Sequence, residues 1–145
     1  MTRTLDENPL WLVWLLSSHF KRYISDFAEQ HDLSPSQLHA LLLLKPETPV
    51  PMNQLSCLVG CDPSYVTGLV DKLVTLDLVT RQESTQDRRI KTLTLNTRGV
   101  ALRADLVQQF GAFYERLEIS GHIPATLTKE LQLLSEITLE ISRSK

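Results

Sequence analysis

The residues of this chain best suited to surface chemistry are hydroxyls and arginines gathered in two neighbouring places. In DPSYVTGLVDKLVTLDL, which begins at Asp62, the residues Ser64, Tyr65, Thr67, Gly68, Asp71 and Lys72 share one side of a helical repeat. Val66, Leu69, Val70, Leu73 and Leu76 recur at spacings of three and four and make the other side apolar. The turn TQDRR then sets Asp87, Arg88 and Arg89 between two partly alternating runs rich in β-branched residues, LVTRQES and IKTLTL. Hydroxyls can meet phosphates or base edges, and arginine is suited to phosphate. A helix with a hydrogen-bonding face beside a basic hairpin therefore suits the grooves of duplex DNA. The same residues also fit a solvated helix face and an ordinary charged hairpin tip, and the pattern by itself leaves both open.

The elements that must position these residues are legible on either side. Asp62 is suited to capping the helix 62–76, and Pro63 sits where a missing N–H is harmless. Before it, MNQLSCLVG reads as a short helix with Met52, Leu55, Leu58 and Val59 inward and Gly60 as a left-handed terminator. Two helices joined so tightly make a helix-turn-helix. Upstream, Ser34, Pro35 and Gln37 form a capping-box pattern for SQLHALLLLK. Pro46, Pro49 and Pro51 end that helix and leave room for one short edge strand at most. Downstream, Asn96 can cap a long helix, TRGVALRADLVQQFGAFYERL, with Val100, Leu102, Leu106, Val107, Phe110, Phe113 and Leu117 as its apolar residues. Gly121 and Pro124 break the chain before a last helix, roughly 124–142, striped by Leu127, Leu131, Leu134, Ile137 and Ile141.

The first helix is capped by Asn8, has Pro9 at its first position and is expected to run to about Asp32, with Leu10, Val13, Trp14, Phe20, Ile24 and Phe27 buried. Trp11, Leu12, Leu15 and Leu16 make its first half apolar nearly all round, and such a helix needs cover on every side. A partner subunit is one source of cover and the C-terminal helices of the same chain are the other.

Composition places the chain among soluble globular proteins: 145 residues, 42% apolar and 22% charged, with a net charge of −2. The charge is unevenly spread. Residues 1–61 and 104–145 each balance to −2, whereas 62–103 balance to +2, and Arg81 to Arg103 hold six basic against two acidic side chains. The hairpin is thus the one markedly basic region, where phosphate contacts would need it. The apolar run LWLVWLL follows an acidic pair and is too short for a signal or a membrane span, so a cytoplasmic protein is expected. Cys57 and Cys61 flank the helix-turn-helix turn, with nothing strongly basic beside them, and read as structural thiols rather than as a redox sensor. His19, His31, His39 and His122 lack ligand spacing, so no metal or other cofactor is expected. No nucleophile motif or phosphate loop points to an enzyme.

Taken in order, helix, helix, helix-turn-helix, wing, long helix and C-terminal helix resemble the MarR family of bacterial winged-helix transcription regulators. The sharpest resemblance lies in VTGLVDKLVTLDLVTRQESTQDRRIKTLTLNTRG, where Asp87 and Arg89 match the wing's acidic-x-Arg pair and Leu95, Asn96 and Gly99 match its helix start. Three positions differ from the family pattern. Gly68 stands where a larger, often basic, residue is common, and Asp77 stands where glycine is usual; Asn96 also replaces the usual threonine. A mainly α fold with a small β-hairpin wing is implied, with 34–96 as the DNA-binding domain and 1–33 and 97–145 as dimerisation helices. The resemblance implies a homodimer, a repressor by family habit, reading an inverted-repeat site in double-stranded DNA through Ser64, Tyr65, Thr67, Gly68 and Lys72, with the wing 84–91 bringing Arg88 and Arg89 to the phosphates or minor groove. Asp87 is expected to fix an arginine by a salt bridge. Family members often bind small aromatic effectors, here around Trp14, His19, Arg22, Tyr23 and His39. The alternative is a winged-helix dimer working mainly through protein contacts, which the near-neutral charge and Gly68 favour.

Overall fold

Proline placed directly after a polar cap starts three of the helices. The structure, a computed structural model, describes residues 5, 8–119, 124 and 126–143. Among them are six helices and three short strands: α1 (Pro9–Glu29), α2 (Pro35–Leu43), β1 (Val50–Pro51), α3 (Met52–Val59), α4 (Pro63–Thr75), β2 (Val79–Glu83), β3 (Lys91–Leu95), α5 (Thr97–Ile119) and α6 (Leu127–Arg143). Asn8 Oδ1 accepts the Leu10 N–H at 2.9 Å, and Ser34 and Gln37 close a reciprocal capping box at 3.2 and 2.8 Å. Asp62 departs from expectation. It occupies the cap position of α4 at φ −57°, but its carboxylate makes no capping bond, and only its carbonyl is engaged, accepting from Val66 N at 3.0 Å.

Three helices end on a left-handed residue: Asp32 (φ 57°) after α1, Gly60 (φ 71°) after α3 and Asp77 (φ 56°) after α4. At Asp32 the N–H reaches back to Glu29 O at 3.1 Å and that of Leu33 to Ala28 O at 3.0 Å. That reversal stops α1 at Glu29 rather than at the expected Asp32. Asp77 repeats the arrangement, with its N–H to Val74 O at 2.9 Å and that of Leu78 to Leu73 O at 3.0 Å. The turn expected to survive aspartate in the glycine place does so.

The chain divides into two units, Met1–Ala104 and Asp105–Lys145. In the first, α2, α3 and α4 pack on one another, and α3 and α4 pack on a three-stranded antiparallel sheet ordered β1-β3-β2. β1 is the single short edge strand the prolines allow. Leu38, Leu41, Leu55, Val66, Val70, Leu73 and Leu93 are fully buried at the centre. Leu58, expected inward, is 47% exposed, because the inner face of α3 centres on Leu55 and Ser56. In α1 only Phe27 and Ala28 are buried. Leu10, Val13 and Trp14, expected to be buried with a partner subunit as one source of cover, are 65%, 41% and 55% exposed in the single chain. A helix half that is apolar all round cannot present one inner stripe, and this one leaves its apolar sides open. In the second unit, α6 carries Leu131, Leu134, Ile137 and Ile141 at the expected spacing, all exposed.

The base of the wing is tied to the start of α5 by Asn96. Its Oδ1 accepts from Gly99 N at 2.9 Å, and its Nδ2 donates to Asp77 O at 2.6 Å and to Asp77 Oδ1 at 2.8 Å. Its own N–H reaches Leu78 O at 3.2 Å.

Candidate nucleic-acid interface

The apolar stripe of α4 buries Val66, Leu69, Val70 and Leu73, which forces the remaining positions outward. Ser64, Tyr65, Thr67, Gly68, Asp71 and Lys72 are all exposed. The structure therefore gathers the five α4 residues singled out from sequence on one outer face. Their hydrogen bonds differ. The Tyr65 hydroxyl donates to Ser36 Oγ at 3.1 Å, leaning its ring toward the start of α2. Thr67 Oγ1 donates back to Pro63 O at 2.9 Å, so its hydroxyl oxygen retains acceptor capacity. A Cβ at Gly68 would meet nothing within 4 Å. Ser34, Gln37, Ser64, Tyr65, Gly68 and Leu69 line a shallow cleft of about 340 Å³ between α2 and α4.

The wing is a loop held from within. Ser84 N donates to Ile90 O at 2.8 Å, and Ser84 Oγ accepts from Gln86 N at 3.2 Å. The Asp87 carboxylate does not form the expected salt bridge. Its Oδ1 accepts the backbone N–H of Arg89 at 2.9 Å, while its carbonyl accepts Ile90 N at 2.9 Å. An aspartate two residues before an N–H in a tight turn closes this local ring more readily than it reaches an arginine head group. Among the described residues, Arg88 and Arg89 have no carboxylate within ion-pair distance, and both are exposed.

Ion pairs form instead where sequence reasoning named none. Lys91 Nζ meets Glu83 Oε1 at 2.7 Å across β2 and β3. Arg81 Nη2 meets Asp71 Oδ1 at 2.5 Å, joining the wing to α4. The strand register explains the second pair. Arg81 lies opposite Leu93, on the same side of β2 as buried Val79. An arginine on the core side of a strand requires a carboxylate partner, and Asp71 on the outer face of α4 was the available signal. A groove of about 430 Å³ opens between α3, α4 and the wing, lined by Met52, Asn53, Thr67, Arg81, Arg89, Ile90 and Lys91.

The residues expected around an effector are placed as follows. Trp14 stacks on Trp11 with ring centroids 4.8 Å apart. Tyr23 lies between Phe20 and Phe27, at 5.6 and 6.2 Å, in an aromatic run along α1. His19, Arg22 and His39 are exposed. Among the described residues no group of three or more His, Cys, Asp or Glu could hold a metal ion, and no helix is long and apolar enough to cross a membrane; His122 lies outside the described residues.

Comparison with known proteins bears on the same segment. The MarR family model matches residues 33–91, from the turn before α2 to the first residue of β3. The HTH-type transcriptional regulator MhqR of Bacillus subtilis (strain 168) is 25% identical over 122 residues, covering 84% of this chain and 78% of the relative. The HTH-type transcriptional repressor MdtR of the same organism is 27% identical, covering 70% and 71%. Among solved structures, that of CouR from Rhodococcus jostii RHA1 bound to p-coumaroyl-CoA superposes with a TM-score of 0.82 at 22% identity, covering 95% of this chain and 96% of that one.

Proposed function

We propose that this chain, whose residues 33–91 match the MarR family model, is a cytoplasmic, homodimeric repressor of transcription of that family that reads an inverted-repeat operator. The observation that carries the reading is the outer face of α4 beside a wing tipped by Arg88 and Arg89, all within the segment 33–91. Ser64, Tyr65, Thr67, Gly68 and Lys72 face the major groove, and the two arginines meet phosphates or the minor groove. Dimerisation uses helices of 1–33 and 97–145. The exposed apolar residues of α1 and of α6 support this, since each helix leaves a face that a single chain keeps in water.

Two such protomers set their α4 helices about one turn of B-DNA apart. A small aromatic ligand relieves repression, bound around Trp14, His19, Arg22, Tyr23 and His39. That CouR is solved with p-coumaroyl-CoA supports a ligand-responsive reading. Selection of bound duplexes from a random pool tests the proposal. The expected product is an inverted repeat with half-site centres about 10 base pairs apart, bound more weakly as salt rises. A pool without enriched symmetric sequence, or a protein sedimenting as a monomer at the binding concentration, overturns it.

A further inference from the structure

We propose that the groove between the start of α3, the outer face of α4 and the wing seats one backbone phosphate of the bound duplex, with Arg81 as its donor and Asp71 as the residue that positions Arg81. The inference rests on the DNA-binding reading above and adds a contact beyond the α4 face and wing tip.

Three of the residues lining the groove, Arg81, Arg89 and Lys91, are cations, and none is acidic. Arg81 is the deepest of the three by its strand position, opposite fully buried Leu93. Its side chain is 30% exposed, yet its Nε is buried and has no hydrogen-bond partner. Asp71 accepts from Nη2 alone. The pair is therefore one-cornered: Nε is closed off from solvent, Nη1 is the remaining donor without a partner among the described residues, and the 30% exposed side chain can offer it to the groove. An Nη1 without an acceptor, beside the cations Arg89 and Lys91, leaves the site open to an anionic oxygen supplied from outside. A phosphate oxygen suits it, because a guanidinium pairs with phosphate through parallel N–H groups.

The surroundings add to the same sign of charge. Met52 and Asn53, the first two residues of α3, border the groove; the Pro51 cap supplies no side-chain acceptor there, and Asn53 Oδ1 takes the Gln54 N–H at 2.9 Å, leaving the other first-turn N–H groups without one. Thr67 offers a polar edge from α4. The groove lies between the helix face assigned to the major groove and the wing, which is where a strand of backbone must pass. Asp71 is 59% exposed and lies outside the groove lining. It holds the guanidinium against α4 and so fixes its unpaired edge relative to the reading face.

The test uses the full-length protein and its selected duplex, with single phosphates replaced one at a time by uncharged methylphosphonates. For wild type, neutralising one particular phosphate in each half-site is expected to weaken binding about tenfold, the scale of one charge-assisted hydrogen bond. Arg81→Gln is expected to weaken binding to the unmodified duplex by a similar factor and to lower the slope of log Kd against log salt by about one per half-site. It should then be indifferent to neutralising that phosphate while still responding at the others. Arg81→Lys should keep most of the salt slope and lose part of the phosphate preference. Asp71→Asn should blunt the response at that one position, whereas a purely structural ion pair would weaken every position alike. Equal losses at all phosphates in Arg81→Gln, or no change in affinity and slope, overturns the proposal and leaves the DNA-binding reading standing. Absence of any duplex binding by wild type overturns both.

Discussion

Alanine at Gly99 should loosen the joint between the wing and α5, and the size of the effect follows from one close approach. A Cβ at this position would lie 1.9 Å from Leu78 O, 2.9 Å from Leu78 C and 3.2 Å from Leu95 Cδ2. Carbon and carbonyl oxygen meet no closer than about 3.3 Å in ordinary contact, so α5 and the α4–β2 turn must part by more than an ångström. The same carbonyl accepts the Asn96 N–H at 3.2 Å, a bond that this movement breaks. Overpacking against backbone destabilises by about 1–3 kcal/mol, and the lost hydrogen bond adds about 1 kcal/mol. The sum, about 3 kcal/mol, corresponds to a fall in Tm of about 10 °C for a chain of this length. Thermal unfolding followed by circular dichroism is the assay, at one fixed protein concentration because the Tm of the proposed dimer depends on it. A variant melting within about 2 °C of wild type would refute the reasoning, since it would mean that the turn yields without loss.

The other predictions concern the interface and the subunit contact. Gly68→Ala places a methyl group in open space, so it should raise stability by about 0.8 kcal/mol through helix propensity; weaker operator binding in the same variant would identify Gly68 as a place of close backbone approach, and unchanged binding would remove it from the interface. Arg89→Ala should abolish operator binding at physiological salt while the protein still sediments as a dimer, and unchanged affinity would refute the role given to the wing tip. Trp14→Glu puts a charge on a face that is 55% exposed in the single chain, and should shift sedimentation from dimer toward monomer; an unchanged mass would take this face of α1 out of the subunit contact.

Local rules carried most of the first unit. The capping box at Ser34 and Gln37, the left-handed Gly60 and the apolar stripe of α4 each depend on a few adjacent residues, and each stands in the structure as read. Reading failed where the deciding partner lies far along the chain or where two local options compete. Asp87 had a backbone N–H two residues away and took it in place of an arginine. Arg81 and Asp71 are ten residues apart on different elements, and only the register of β2 against β3 turns Arg81 toward α4. In α1, hydrophobicity named the residues to cover but not the body that covers them, and Leu10, Val13 and Trp14 are exposed in the single chain.

The contact between Asp77 and Asn96 bears on how this sequence can have changed over time. Both residues differ from the habit of the family it resembles, and each satisfies the other through the amide-to-carboxylate bond at 2.8 Å. A forebear with glycine at 77 would have offered the Asn96 amide a carbonyl but no carboxylate. One with threonine at 96 would have left the Asp77 side chain to water. In this chain the two side chains act as one unit, 19 residues apart in the chain and touching in space. A hybrid chain that takes α4 with its closing turn from this sequence and its wing from another would split that unit at the seam.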